Sequence, residues 1–479
     1  MTRSAYFLAG LVVVFTLGCS TVPVTGESTG QSPALAILAA DGWQAPLPHG
    51  GRPEDLHEWW RQQGDALLVD LIDAAQKVSP SLATARSRIG QSRAALTISQ
   101  AASWPALDAS ATVSRGVTQP GIPLSTTLQA GLQAGWEIDL FGAAASASAA
   151  SAERVASAQA AWHEARVSTA AETATQYVQL EACFRQVMLA RQDVDSKVET
   201  ARLLGISTRA GFSAAGDLAL TNAIAAEAAN QVVLVRAQCE VMVKSLIALT
   251  GFPEPALRSR LGKSTADPTR LAPVFVATVR AEVLNQRPDV FAAAREIDAA
   301  RQDLSSITAQ QFPRISFSGS IGALSFSAGG ASTDMTTWSV GPLAVSIPLF
   351  DGGRRRANAE AARFRYDEAV ALYQAKVRQA VREVEQALVN LQAAVDRRGD
   401  TESAALAWQA SLDATLARQR NGFASRIDVE EAKRRAYAAE IGRLTLHKEQ
   451  LLAWVALYRA VGGGWQPSTL TTSDKETGR

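Results

Sequence analysis

The chain has almost no net charge. Its 47 basic and 46 acidic residues leave +1, so it lacks the electrostatic footprint of a nucleic-acid-binding surface, and no basic stripe supplies one locally. Histidine is scarce too, because His49, His57, His163 and His447 are the only four and none has metal-ligand spacing. There is no Gly-x-Ser-x-Gly elbow, and Gly262-Lys263-Ser264 is not a phosphate loop because Leu257 stands where the earlier glycine belongs. Catalysis therefore has no foothold. Aromatic residues make up only 6%, while alanine runs through nearly every segment, which favours long, thin, closely packed helices over one bulky core. Past the N-terminal leader no apolar run is long enough to cross a bilayer as a helix, so a mature chain that crosses one must do so as a closed barrel.

What is present is ample for folding. Hydrophobic residues are 47% against 19% charged over 479 positions, the balance of a globular or coiled-coil chain with room for two or three domains. The N-terminus reads Arg3, an apolar run from Phe7 to Leu17, then Gly18-Cys19-Ser20, a secretory signal ending at a cysteine. It resembles bacterial lipoprotein signals, which makes Cys19 the lipidated first mature residue. Thr16 stands where such signals usually carry leucine, and the competing reading is a plain signal with an incidental cysteine. Ser20 after the cysteine points to the outer membrane. Cys183 and Cys239 remain, each in a helical stretch. A disulfide would suit an oxidising compartment, but two buried small apolar side chains is the preferred reading.

The chain repeats itself. Trp104-Pro105 is echoed by Phe312-Pro313, Pro80-Ser81 by Pro288-Asp289, and Leu140-Phe141-Gly142 by Leu349-Phe350-Asp351-Gly352. Gly211-Phe212 answers Gly422-Phe423, Asp217 answers Asp428 and Gly251 answers Gly462. Each copy opens on a helix of about twenty residues that starts at a proline. Period-two segments follow. Leu107, Ala109, Ala111 and Val113 alternate with polar residues, as do Leu128, Leu132, Trp136 and Ile138 after a turn holding Pro120, Gly121 and Pro123. In the second copy Ile315, Phe317 and Ile321 share a phase, whereas Trp338 and Val340 are out of phase with Leu343 and Val345. That flip at Gly341-Pro342 predicts a bulge or bend. Helical periodicity then takes over from Ala143 to Leu204 without a glycine or proline, and again from Val370 onward, with reversals expected at the two Gly-Phe pairs.

These features resemble the outer-membrane factor family of Gram-negative exporters, the TolC-like and OprM-like channels, and most closely their lipoprotein (NodT-type) branch. The words that carry the likeness are Trp136-Glu137-Ile138-Asp139-Leu140-Phe141-Gly142, Gln286-Arg287-Pro288-Asp289-Val290, Ile347-Pro348-Leu349-Phe350-Asp351-Gly352-Gly353 and Trp59-Trp60. The resemblance implies an α+β chain that forms a homotrimer in the outer membrane. Four strands per chain would build a shared barrel, continued by a periplasmic helical coiled-coil tunnel. The implied parts are a signal over 1–18, a lipid-anchored segment over 19–78, a first copy over 79–251, a linker of the equatorial belt over 252–286, a second copy over 287–462 and a polar tail over 463–479. Cys19 would carry a covalent lipid, and no cofactor is implied. A periplasmic adaptor (membrane fusion) protein and an inner-membrane pump, of the RND type, would feed this passive conduit. The alternatives are a duct for polypeptide secretion and a lipid-anchored coiled-coil scaffold.

The resemblance also places a periplasmic gate of acids just past each hairpin tip, which here falls on Asp217, Asp428 and Glu431. The competing explanation is a set of helix-start acids favoured by the dipole. Glu430 is expected to be exposed. Ala424 stands where the family commonly has a locking arginine, with Arg426 two positions on. The tips Gly211-Phe212-Ser213 and Gly422-Phe423-Ala424-Ser425 would dock the adaptor, unless each phenylalanine folds back to cap its own hairpin.

Overall fold

A computed structural model describes residues 60, 65–117, 124–262, 284 and 286–465. Cys19, the turn at Pro120 to Pro123, most of the linker and the polar tail lie outside the described residues. After α1 (Ala66–Val78) one order of elements occurs twice. The first series is α2 (Pro80–Ala101), β1 (Ala106–Gly116), β2 (Ser125–Ile138), α3 (Ala143–Arg209) and α4 (Ala215–Thr250). After the short α5 (Glu254–Leu261), the second is α6 (Pro288–Ala309), β3 (Arg314–Ala328), β4 (Ala331–Ser346), α7 (Arg354–Arg420) and α8 (Arg426–Ala460). Both opening helices have 22 residues, with proline in the first turn where its missing N–H is harmless. Both long helices have 67, about 100 Å at 1.5 Å per residue.

The strands form one antiparallel sheet in the order β1-β2-β3-β4. Its register lines apolar residues into rows: Ala109, Leu132, Ile321 and Trp338 lie side by side, as do Trp136, Phe317 and Leu343. Between Phe317 and Gly319 the β4 partner jumps from Leu343 to Val340, a bulge at Gly341-Pro342. The extra residue returns Trp338 and Val340 to the face of Leu343 and Val345, so the phase flip in sequence keeps that face apolar from Ile315 to Ile321, while farther along Ser325 and Asp334 join the row of Val113 and Leu128. The opposite face carries Asp108, Gln133, Ser320 and Ser339 in one row, with Leu324, Met335 and Phe326 farther from the helices. No described helix is long and apolar enough to cross a membrane.

The long helices lie side by side, α4 on α3, α3 on α8 and α8 on α7, which leaves α4 and α7 as edges. The core is a belt near mid-height. Leu71 of α1, Leu180 of α3, Leu246 of α4, Leu257 of α5, Leu388 of α7 and Leu457 of α8 are fully buried there, each contributing about 1.5–3 kcal/mol. Trp60 meets Tyr458 edge-on at 4.7 Å between ring centres. Cys183 and Cys239 belong to the same belt and are disulfide-bonded, joining α3 to α4 across a Cα separation of 5.7 Å. The expectation of two independent small apolar side chains is therefore corrected. They are buried, but the packing of α3 on α4 brings residues 56 positions apart into bonding range, which periodicity along one helix does not reveal.

The second series is tied into this belt at its first residues. Arg287 and Asp289 are buried as a two-point ion pair, and Arg287 also donates to the Ala460 carbonyl at 2.8 Å and meets Glu383 at 2.8 Å. Gly462, at φ 88°, lies against the Gln286 carbonyl so closely that a Cβ would come within 2.2 Å of its oxygen.

Candidate functional site

Both hairpins turn the same way. α3 ends at a left-handed Gly211 and α7 at a left-handed Gly422, with φ of 83° and 79°. The next N–H, of Phe212 or Phe423, reaches back to the Ser207 or Arg418 carbonyl at 3.0 or 2.8 Å. This is a helix stop in which glycine removes the Cβ penalty and the orphan carbonyls find donors. The two rings are not folded back. Phe212 is 85% and Phe423 76% exposed, so each tip presents an apolar ring to its surroundings. Ser213 is used locally, its hydroxyl 2.6 Å from that of Ser207. Ala424 is half-buried and Ser425 caps α8.

The acids past the tips differ in their local roles. Asp428 accepts the Ser425 N–H at 2.8 Å and its own N–H donates to the Ser425 hydroxyl at 3.0 Å, a capping box. Those bonds hold its exposed carboxyl below the usual carboxylate range. Asp217 occupies the matching position in α4, but the cap position there is Ala214 and offers no hydroxyl. A capping role thus accounts for Asp428 and leaves the exposed Asp217 without one. Glu431 is exposed and paired with Arg435, which also lies over the Trp408 ring at 5.3 Å. Glu430, expected at the surface, is buried: α8 packs on α3 through that face, and the carboxylate turns to Lys433 at 2.8 Å. Asp217 and Asp428 begin helices that pack on α3, so within one copy the three acids flank α3 without forming a cluster.

A seam that sequence reading passed over joins the hairpins just above these acids. The Ser196 hydroxyl donates to the Glu430 carbonyl at 2.9 Å, and Arg434 donates to the Thr200 hydroxyl at 2.8 Å. Arg426 comes within 3.8 Å of Glu199, whose carboxyl is held low by hydrogen bonds from Arg202. The signal was present as Ser196 and Thr200, two polar residues at one-turn spacing beside the apolar stripe of α3.

The sequence patterns that built this geometry are those of a known group. A family model described as outer membrane efflux protein matches residues 71–252 and 279–463. The chain belongs to the outer membrane efflux protein family. Among family relatives, outer membrane protein OprJ of Pseudomonas aeruginosa is 30% identical over 97% of each chain. Toluene efflux pump outer membrane protein TtgI of Pseudomonas putida is 28% identical over 94% of this chain and 96% of the relative. Nodulation protein T of Rhizobium leguminosarum is 25% identical over 85% and 84%. Among solved structures, the outer-membrane channel OprN superimposes with a TM-score of 0.71 at 26% identity, covering 90% of this chain and 96% of that one. The Campylobacter jejuni outer membrane channel CmeC, at 21% identity, gives 0.75 over 92% and 94% and shows the shared fold. As an outer membrane efflux protein, this chain is a channel component of the export apparatus.

Proposed function

We propose that three copies of this chain close into one duct, a shared twelve-stranded barrel in the outer membrane continued by a helical tunnel through the periplasm. The observation that carries this is the four-stranded sheet with a band of apolar residues on one face, from the Trp136-Phe317-Leu343 row to the Ala109-Leu132-Ile321-Trp338 row, and unpaired edges at β1 and β4. Four strands cannot close a barrel, and open edges are intolerable in lipid, so β1 of one copy pairs with β4 of the next. The helices repeat the logic. The edge helices carry exposed Leu220, Val233 and Val241 on α4 and Leu372, Val389 and Leu406 on α7, apolar surface that a neighbouring copy would cover.

In this assembly Cys19 bears the lipid anchor, and Asp217, Asp428 and Glu431 line the periplasmic mouth in triplicate as a negative, cation-attracting constriction. The exposed Phe212 and Phe423 rings dock a periplasmic adaptor protein, which links the duct to an inner-membrane pump of the RND type. The cargo is small molecules, in keeping with relatives named for toluene efflux and pyoverdine export. The duct supplies no energy. The test is direct: the purified chain is sized in detergent and added to planar bilayers. A trimer that conducts supports the reading, and a monomer that forms no pores ends it.

A further inference from the structure

All four strand ends that lead into helices lie at one end of the sheet, since Ala106 lies beside the end of β2, Ile138 opposite Ile315, and Arg314 opposite Ser346. Exposed apolar and aromatic residues collect around this end: Trp104, Leu140, Phe141, Phe312, Leu349 and Phe350. Phe141 and Phe312 stack at 5.0 Å, and the Trp136 indole donates to the Ser103 carbonyl at 3.0 Å, so the collar is ordered.

One corner differs from the rest. Between β4 and α7, Leu349 and Phe350 are 91% and 93% exposed, more than any other large apolar side chain described. Three arginines follow in the first turn of α7. Arg355 is used internally, bonded to Asp351 at 3.0 Å and to the Gln310 carbonyl at 3.1 Å. Arg354 and Arg356 are exposed, and among the described residues neither has an ion-pair partner. Asp351, just ahead of this turn, caps it by accepting the Gly353 and Arg355 N–H groups at 3.1 and 3.2 Å, and its side-chain ion pair goes to Arg355. The matching start of α3 is Ala143-Ala144-Ala145, so the shared architecture does not require arginine there. Two cations without an ion-pair partner among the described residues, beside two bare apolar side chains, call for a partner that is anionic on one side and apolar on the other.

We propose that Arg354 and Arg356, with Leu349 and Phe350, form a binding corner for anionic glycerophospholipids of the leaflet facing the periplasm. The inference rests on the reading of the sheet as membrane-spanning, because that reading sets the strand ends at the membrane boundary. The apolar pair sits among the upper acyl carbons and the guanidinium groups sit at headgroup phosphates, the depth at which aromatic belts and basic residues lie. Repeated in three copies, the corner seats the duct at a fixed depth.

The experiment uses the full-length trimer in detergent, with lipid binding counted by native mass spectrometry as phosphatidylglycerol or phosphatidylcholine is titrated in. Wild type should bind phosphatidylglycerol in preference, and high salt should remove the preference. The R354Q/R356Q protein should bind phosphatidylglycerol roughly thirtyfold more weakly, from about 1 kcal/mol per basic residue near an anionic surface. Phosphatidylcholine binding should be unchanged, and R354K/R356K should keep most of the affinity. A wild type without preference, or a glutamine variant that retains it, overturns the proposal. If R354Q/R356Q does not assemble, the wild-type lipid comparison and the lysine variant still decide it. A wild type that lacks the preference while R354Q/R356Q loses its trimer assigns the arginines to a contact between copies and likewise overturns it. Planar-bilayer conductance separates the two readings. Pores without lipid preference sink only the lipid corner, whereas no insertion at all sinks the membrane-sheet reading and the corner with it.

Discussion

The Arg287 guanidinium and the Asp289 carboxylate face each other through two hydrogen bonds of 2.8 and 2.9 Å, both side chains buried at the start of α6. They lie two residues apart in sequence, yet the pair clamps distant parts of the chain, because Arg287 also reaches the end of α8 through the Ala460 carbonyl and α7 through Glu383.

Removing one partner strands a buried charge. Arg287→Ala or Asp289→Asn should each destabilise the protein by about 3–5 kcal/mol, read as a lower thermal midpoint. Burial alone would raise the Asp289 carboxyl, but hydrogen bonds and charge from Arg287 outweigh it and hold the pKa below the usual range. The stabilisation is therefore complete above the ordinary carboxylate pKa and is lost as pH falls through the depressed folded value. The gap between wild type and D289N should be constant near neutrality and close only in acid. A gap that closes toward alkaline pH contradicts this assignment.

At Gly462 both conformation and space exclude a side chain. Gly462→Ala would place a Cβ 2.2 Å from the Gln286 oxygen at a left-handed φ, so the end of α8 must leave its seat. Folded protein recovered from membranes should drop severely. In contrast Gly442→Ala, in an exposed helical position with open space around it, should be neutral or slightly stabilising.

The gate can be separated from capping. Asp428→Asn keeps a side-chain acceptor for the Ser425 N–H while removing the charge, and Asp217→Asn has no cap to disturb. If these acids line the constriction, both variants should lower cation selectivity in bilayers, and D428A/E431A should raise conductance. If Asp428 serves only its helix, D428N will conduct like wild type, while D428A will lower the thermal midpoint by removing half of the capping box. Because the Asp428 carboxyl is held low, its contribution to selectivity should persist at mildly acidic pH.

If the proposed duct narrows at these hairpins, the seam between α3 and α8 should restrain its opening. Arg434→Ala removes the donor to Thr200, and Ser196→Ala removes the bond to the Glu430 carbonyl. The double variant should raise resting conductance with little loss in the melt. Unchanged conductance would show that the hairpins are held by other contacts.

The Cys183–Cys239 bond closes a loop of 56 residues in the first hairpin. C183S/C239S should lower stability by about 2–4 kcal/mol, and a reducing agent should lower the wild type toward the same midpoint without affecting the variant. The matching positions in the second hairpin are Ala394 and Gln450, so only one hairpin of each copy is cross-linked.

Patterns that run along the backbone were readable in the sequence alone. Period two marked the strands, period 3.6 the long helices, and the glycines at 211 and 422 the hairpin stops, because alternation, helical phase and left-handed turns are local demands. Even the β4 bulge announced itself as a phase flip at Gly341-Pro342. The family resemblance and the repeat pointed to Asp217 and Asp428 past the tips, and both acids are exposed there. What the sequence left undecided was which helices face one another. Burial of Glu430, the Arg426, Arg434 and Ser196 contacts of the seam, and the Cys183–Cys239 bond all depend on α3 lying between α4 and α8. That order is set by packing among residues some 50 to 230 positions apart, and it leaves no periodic trace within any one segment.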